Sequence, residues 1–94
     1  MIFTYKARVD TNQPKIVKQI RQLGATVKTV SQVKGFCDIV VGINCKNYLL
    51  EIKDPDKPPS QRRLTPEEIK FKDSWKGQYN VVETIDDILQ IINR

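Results

Sequence analysis

Ninety-four residues, 39% hydrophobic and 29% charged, describe one soluble globular domain spanning residues 1–94 with a modest core. No apolar run approaches the ~18 residues that cross a membrane, and MIFTYKARVD lacks the basic start and apolar stretch of a secretory signal, so a cytoplasmic location is expected. Sixteen Lys and Arg against eleven Asp and Glu, net +5, favour a polyanionic partner, while the absence of His excludes Ser/Cys–His triads and the usual Cys/His zinc patterns.

In chain order, Asp10 with Gln13 three residues on predicts a capped first helix, with Pro14 tolerated in its first turn. Ile16, Val17, Ile20 and Leu23 follow a helical period, and Gly24 serves as its stop. Ala25 to Val30 alternates apolar and polar residues and reads as a strand. Two further strands are expected at about 38–43 and 48–53, joined through the turn-forming Gly and Asn residues between Gly42 and Asn47. Cys37 and Cys45 read as reduced packing thiols.

The segment DPDKPPSQRR, from Asp54 to Arg63, has three prolines and no aliphatic residue, and predicts an exposed irregular loop. Thr65, Pro66 and Glu68 form a capping box that opens a second helix, whose buried stripe is expected to carry Phe71 and Trp75, with Gly77 ending it. Tyr79 to Val82 reads as a short strand, and Thr84 with Asp87 caps a last helix bearing Ile85, Ile88, Leu89 and Ile92 on one face. The expected fold is α/β in the order αβββαβα: a small mixed sheet of three antiparallel strands plus one parallel strand, flanked by helices.

The chemistry concentrates between Lys34 and Lys53. Alternation in a strand puts Glu51 and Lys53 on one face and Leu50 and Ile52 on the other, and a hairpin brings Asp38 beside Glu51. Two carboxylates suit Mg²⁺, which takes few protein ligands and keeps places for water and phosphate oxygens. Asp38 and Glu51 are the candidate ligands, the Ile52 backbone carbonyl an auxiliary one, and Lys53 the group that orients water or offsets charge on a phosphate. By spacing alone, a strand-end ion pair of Glu51 with Lys53 explains the same residues. Lys34, Lys57, Arg62 and Arg63 are candidate phosphate contacts; Tyr48 and Trp75 offer rings to bases, with core packing the simpler account.

The ordered motifs KGFCD, YLLEIKD and RLTPEE, between an opening helix ending in LG and a closing VVETIDDILQII, resemble the PD-(D/E)xK nuclease superfamily and its small VRR-NUC type over about residues 10–92. The resemblance implies a restriction-endonuclease-like fold and a Mg²⁺-dependent endodeoxyribonuclease, with Mn²⁺ as substitute, using Asp38, Glu51 and Lys53. It further implies a homodimer acting on branched DNA, four-way (Holliday) junctions first, with flap cleavage or a non-catalytic DNA-binding role as alternatives. Cys37 stands where the motif commonly has proline, and Glu68 where glutamine is usual. Gln13 stands where the first helix usually carries a glutamate, so Gln13 is expected to touch only the ion's water, or Asp10 to take its place.

Overall fold

The structure, a computed structural model, describes residues 9–94, so most of the segment read for a secretory signal lies outside it. Helix α1 runs Gln13–Gln22, strands β1, β2 and β3 run Thr26–Thr29, Ile39–Ile43 and Lys46–Ile52, helix α2 runs Pro66–Ser74, strand β4 runs Asn80–Val82 and helix α3 runs Ile85–Ile92. A single 3-10 turn at Pro59–Gln61 interrupts the proline-rich loop.

The four strands lie in the order β1-β2-β3-β4, antiparallel except for the parallel pair β3–β4. The β2–β3 hairpin closes more tightly than the Gly42 to Asn47 connection anticipated. Ile43 pairs with Lys46, and the turn residues Asn44 and Cys45 adopt φ of 54° and 62°, the positive values a two-residue turn requires. Cys45 is consequently exposed and does not pack, whereas Cys37 is buried as expected.

Alternation along β3 separates two layers. Leu50 and Ile52, both fully buried, join Ile39, Val41, Val82 and the inward faces of α1 and α3 (Ile16, Val17, Ile20, Ile88, Ile91) in one apolar cluster. Glu51 and Lys53 point the other way, beneath α2, and are buried too. Helix α2 is held there by Phe71, whose ring meets Phe36, Tyr79 and Trp75. Trp75 departs from expectation: α2 ends one residue before it, in extended backbone, and its side chain is 42% exposed.

The capping boxes at Thr65–Glu68 and Thr84–Asp87 are both formed, because each needs only residues within one turn. The box expected at Asp10 is not. Asn12 occupies the cap of α1 with no side-chain bond to its first turn; its side-chain amide donates instead to the Lys53 and Glu83 carbonyls, tying the helix start to the ends of β3 and β4. Among the described residues no helix is long and apolar enough to cross a membrane.

Candidate active site

The β2–β3 register ends with Ile39 opposite Leu50, and Asp38, one residue before it, shares a cleft with Glu51. Asp38 is anchored there by its own backbone and side chain: its N–H donates to the Leu50 carbonyl at 3.1 Å, and its Oδ2 accepts Ile52 N–H at 2.7 Å. The N–H and C=O of a strand residue project to the same side, so the Ile52 carbonyl also faces the Asp38 side. Asp38 Oδ1 accepts the Ser31 hydroxyl at 3.3 Å, and Ser31 Oγ in turn accepts Gln13 Nε2 at 3.3 Å. Gln13, 4% exposed at the first position of α1, is thereby joined to the carboxylates through a serine that its sequence position did not announce.

Lys53 follows β3, its N–H continuing the ladder to the Val82 carbonyl at 2.9 Å. Its ammonium donates to Glu68 Oε1 at 2.8 Å, and the same oxygen accepts Thr65 N–H at 2.8 Å. The capping glutamate of α2 is thus also the partner of the buried lysine. Asp38, Glu51 and Glu68 line one cleft of about 240 Å³ with Ser31, Lys34 and Phe36. A larger groove of about 690 Å³ along α1 and β1 shares only Gln13 and Ser31 with the residues just described.

Crowding of acids in this cleft shifts their ionisation. Burial, then hydrogen bonding to Asp38 and Glu68 and their charges, pushes the Glu51 carboxyl up to about 11. Burial raises Asp38 above the usual aspartate range, against hydrogen bonds from Glu51, Ile52 N–H and Ser31. Burial would raise Glu68 as well, but hydrogen bonds from Glu51, Lys53 and Thr65 outweigh it and hold Glu68 below the usual range. In chemical terms Glu51 is the acid of this cluster that burial and its neighbours most favour in the protonated form. Tyr79 looks onto the same charges, and burial first, then Glu51, raises its phenol.

A divalent cation would relieve this crowding, and the donor set suits one. Asp38 and Glu51 offer hard anionic oxygens, and the Gln13 Oε1 atom is buried without a hydrogen-bond partner among the described residues. Among those residues no three His, Cys, Asp or Glu side chains form a ready cage.

The other candidates are dispersed. Asp10 turns its carboxylate to Lys57 Nζ at 2.8 Å, and Arg62 meets Glu83 at 3.4 Å. Lys34 and Arg63 are exposed, Lys34 on the rim of the acidic cleft. A solved structure described as a VRR_NUC domain superposes on 87% of this chain and 90% of its own length, with a TM-score of 0.59 and 17% sequence identity. The fold is that of a VRR_NUC domain. No protein-family model and no curated protein matches the chain. Within the VRR_NUC fold, the element order αβββαβα puts the segment before β2, Glu51 of β3 and the start of α2 on one cleft, and Asp38, Glu51 and Glu68 there have shifted ionisation.

Proposed function

We propose that this protein is a metal-dependent endodeoxyribonuclease, with Asp38, Glu51 and Lys53 as its catalytic set. The observation that carries the reading is the meeting of Asp38 with Glu51 in a cleft where the buried Lys53 ammonium is fixed nearby by Glu68. Asp38, Glu51 and the Ile52 carbonyl would hold Mg²⁺ or Mn²⁺, with Gln13 Oε1 turned to the ion's water. Such an ion supplies Lewis-acid polarisation of a phosphoryl oxygen and a more acidic water.

The protein's own groups perform the rest. Glu51, which burial favours in the protonated form, would have to lose that proton to serve as a ligand. Lys53 Nζ donates hydrogen bonds to the attacking water or to a non-bridging phosphate oxygen, and its charge offsets the charge that builds there. Glu68 keeps that ammonium on the cleft side of β3. The exposed Lys34 and Arg63 take neighbouring phosphates, which positions DNA without reading its sequence.

Homodimerisation would present two such sites in two-fold symmetry, matching a four-way junction; flaps and other branched DNA are the alternative substrates. The site of action follows the DNA, in the cytoplasm. Incubation with labelled junctions, flaps and plain duplexes in Mg²⁺, Mn²⁺ or EDTA tests the reading. Metal-dependent cleavage that Asp38→Asn and Lys53→Ala abolish is expected. Binding without cleavage in either metal would instead assign a non-catalytic DNA-binding role, and a strict monomer by light scattering would argue against symmetric junction cleavage.

A further inference from the structure

Trp75 is the only tryptophan of the chain and the only exposed aromatic side chain among the described residues. Its indole is nevertheless held. One face stacks on Phe71, with ring centroids 5.1 Å apart and planes at 25°, and Phe36 meets it edge-on at 6.1 Å. Nε1 donates to the Gln78 carbonyl at 3.1 Å. A Cβ at Gly77 would lie 2.9 Å from Nε1, so the loop after α2 passes the indole edge at a position that suits only glycine.

That loop is itself fastened to the sheet. The Gln78 side chain accepts Leu49 N–H at 2.7 Å, donates to the Leu49 carbonyl at 3.0 Å and donates to Asn80 Oδ1 at 2.8 Å. With Phe71 stacked against it and these bonds at its edge, the ring's plane is set while the residue stays 42% exposed. A partner stacking there orders little that is not already ordered.

Location and charge say what that partner is. Phe36 lines the cleft that holds Asp38, Glu51 and Glu68, so the aromatic path from Phe36 to Trp75 leads from the carboxylates to the surface. From Lys70 to Lys76 three lysines stand against one acid, Asp73, all exposed, and Lys34 adds a fourth cation at the cleft rim. A fixed ring among cations takes a nucleobase by stacking while the lysines take the flanking phosphates. An apolar protein partner would have to desolvate those lysines.

We propose that Trp75 is a binding subsite for an unpaired nucleobase of single-stranded DNA leading into the acidic cleft. A base inside a duplex has both faces covered by its neighbours, so the subsite engages only DNA with an unpaired stretch. The inference rests on the nuclease reading of the cleft and, within it, favours flaps and other branched DNA with an unpaired stretch over a fully paired four-way junction.

The sole tryptophan is its own reporter. The full chain is titrated in EDTA with a short duplex carrying a single-stranded tail and with the same duplex blunt, following Trp75 emission. Saturable quenching by the tailed duplex and none by the blunt one is expected. By anisotropy of labelled DNA, Trp75→Ala weakens tailed-duplex binding by about tenfold or more and leaves blunt-duplex binding unchanged, while Trp75→Phe keeps most of the affinity. Equal quenching by both duplexes overturns the proposal, as does unchanged tailed-duplex binding by a Trp75→Ala variant whose circular dichroism is native. Emission that shifts with protein concentration alone also overturns it, by placing a second copy of the chain on the indole. Should Trp75→Ala not fold, the wild-type quenching contrast decides. Because no cleavage occurs in EDTA, failure here leaves Asp38-dependent cleavage standing, and stacking without any cleavage in metal would refute the nuclease reading alone.

Discussion

Lys53 Nζ lies 2.8 Å from Glu68 Oε1, the same oxygen that accepts Thr65 N–H to close the cap of α2. One carboxylate thereby couples the start of a helix to the lysine at the end of the central strand. The lysine side chain is only 9% exposed, so removing this partner would leave a buried group without its ion pair.

Replacing Glu68 separates the two roles. Glu68→Ala removes the N3 half of the capping box, while the Thr65 hydroxyl keeps its bond to the residue-68 N–H, and strands a buried ammonium, for a combined loss of roughly 3–5 kcal/mol. Glu68→Gln keeps an oxygen for Thr65 N–H and for Lys53 and loses less. Urea unfolding of the two variants should rank them in that order, and equal stability of Glu68→Ala and wild type would show that the contact is idle.

Glu51 makes the protein's stability depend on pH. Its carboxyl titrates near the ordinary 4.5 in the unfolded chain and at about 11 in the folded one, so the folded state binds a proton that the unfolded state has lost. This contribution is whole below pH 4.5 and declines as pH rises towards 11. Glu51→Gln, permanently neutral, should therefore melt higher than wild type at pH 8 in EDTA, with the gap closing in acid. Mg²⁺ should raise the melting temperature of wild type and leave Glu51→Gln unmoved. A wild-type melting temperature flat across this pH range would contradict the burial argument.

Gln13→Glu tests the unpartnered amide oxygen. A third carboxylate beside Asp38 and Glu51 strengthens attraction for a divalent ion and worsens repulsion without one. The variant should need less Mg²⁺ for half-maximal cleavage and should unfold more easily in EDTA. Both shifts are read from one purified sample, and movement of neither would remove Gln13 from the site.

The apolar layer under α1 and α3 should govern overall stability. Leu50→Ala deletes a fully buried side chain and should cost about 2–5 kcal/mol. Ile69→Ala, at a side chain 46% exposed, should stay within about 0.5 kcal/mol of wild type. Similar unfolding midpoints for both would mean that the core is elsewhere.

Local rules account for what could be read before folding. The alternation Leu50-Glu51-Ile52-Lys53 separates the two faces of β3, and the Thr65 and Thr84 boxes close within one turn, so each is decided by near neighbours. The expected strand order and the antiparallel β2–β3 pairing follow from short connections. Burial of Lys53 was not legible, because it comes from α2, which reaches over the strand only after the proline-rich loop has closed.

Long-range contacts likewise decided the cations and the first helix. Lys57 meets Asp10 across 47 positions and Asn12 reaches Glu83 across 71, pairings that no window along the chain contains. Trp75 kept the helical spacing from Phe71 yet lies past the end of α2, since the loop through Gly77 and Gln78 is pinned to Leu49. By itself the sequence determined the elements, the two faces of β3 and the acidic residues that meet on it, because these depend on period and near neighbours. Only the tertiary structure decided that Glu51 and Lys53 are buried, that Glu68 holds the lysine and that Trp75 stays open, because burial and partnership depend on what distant segments cover.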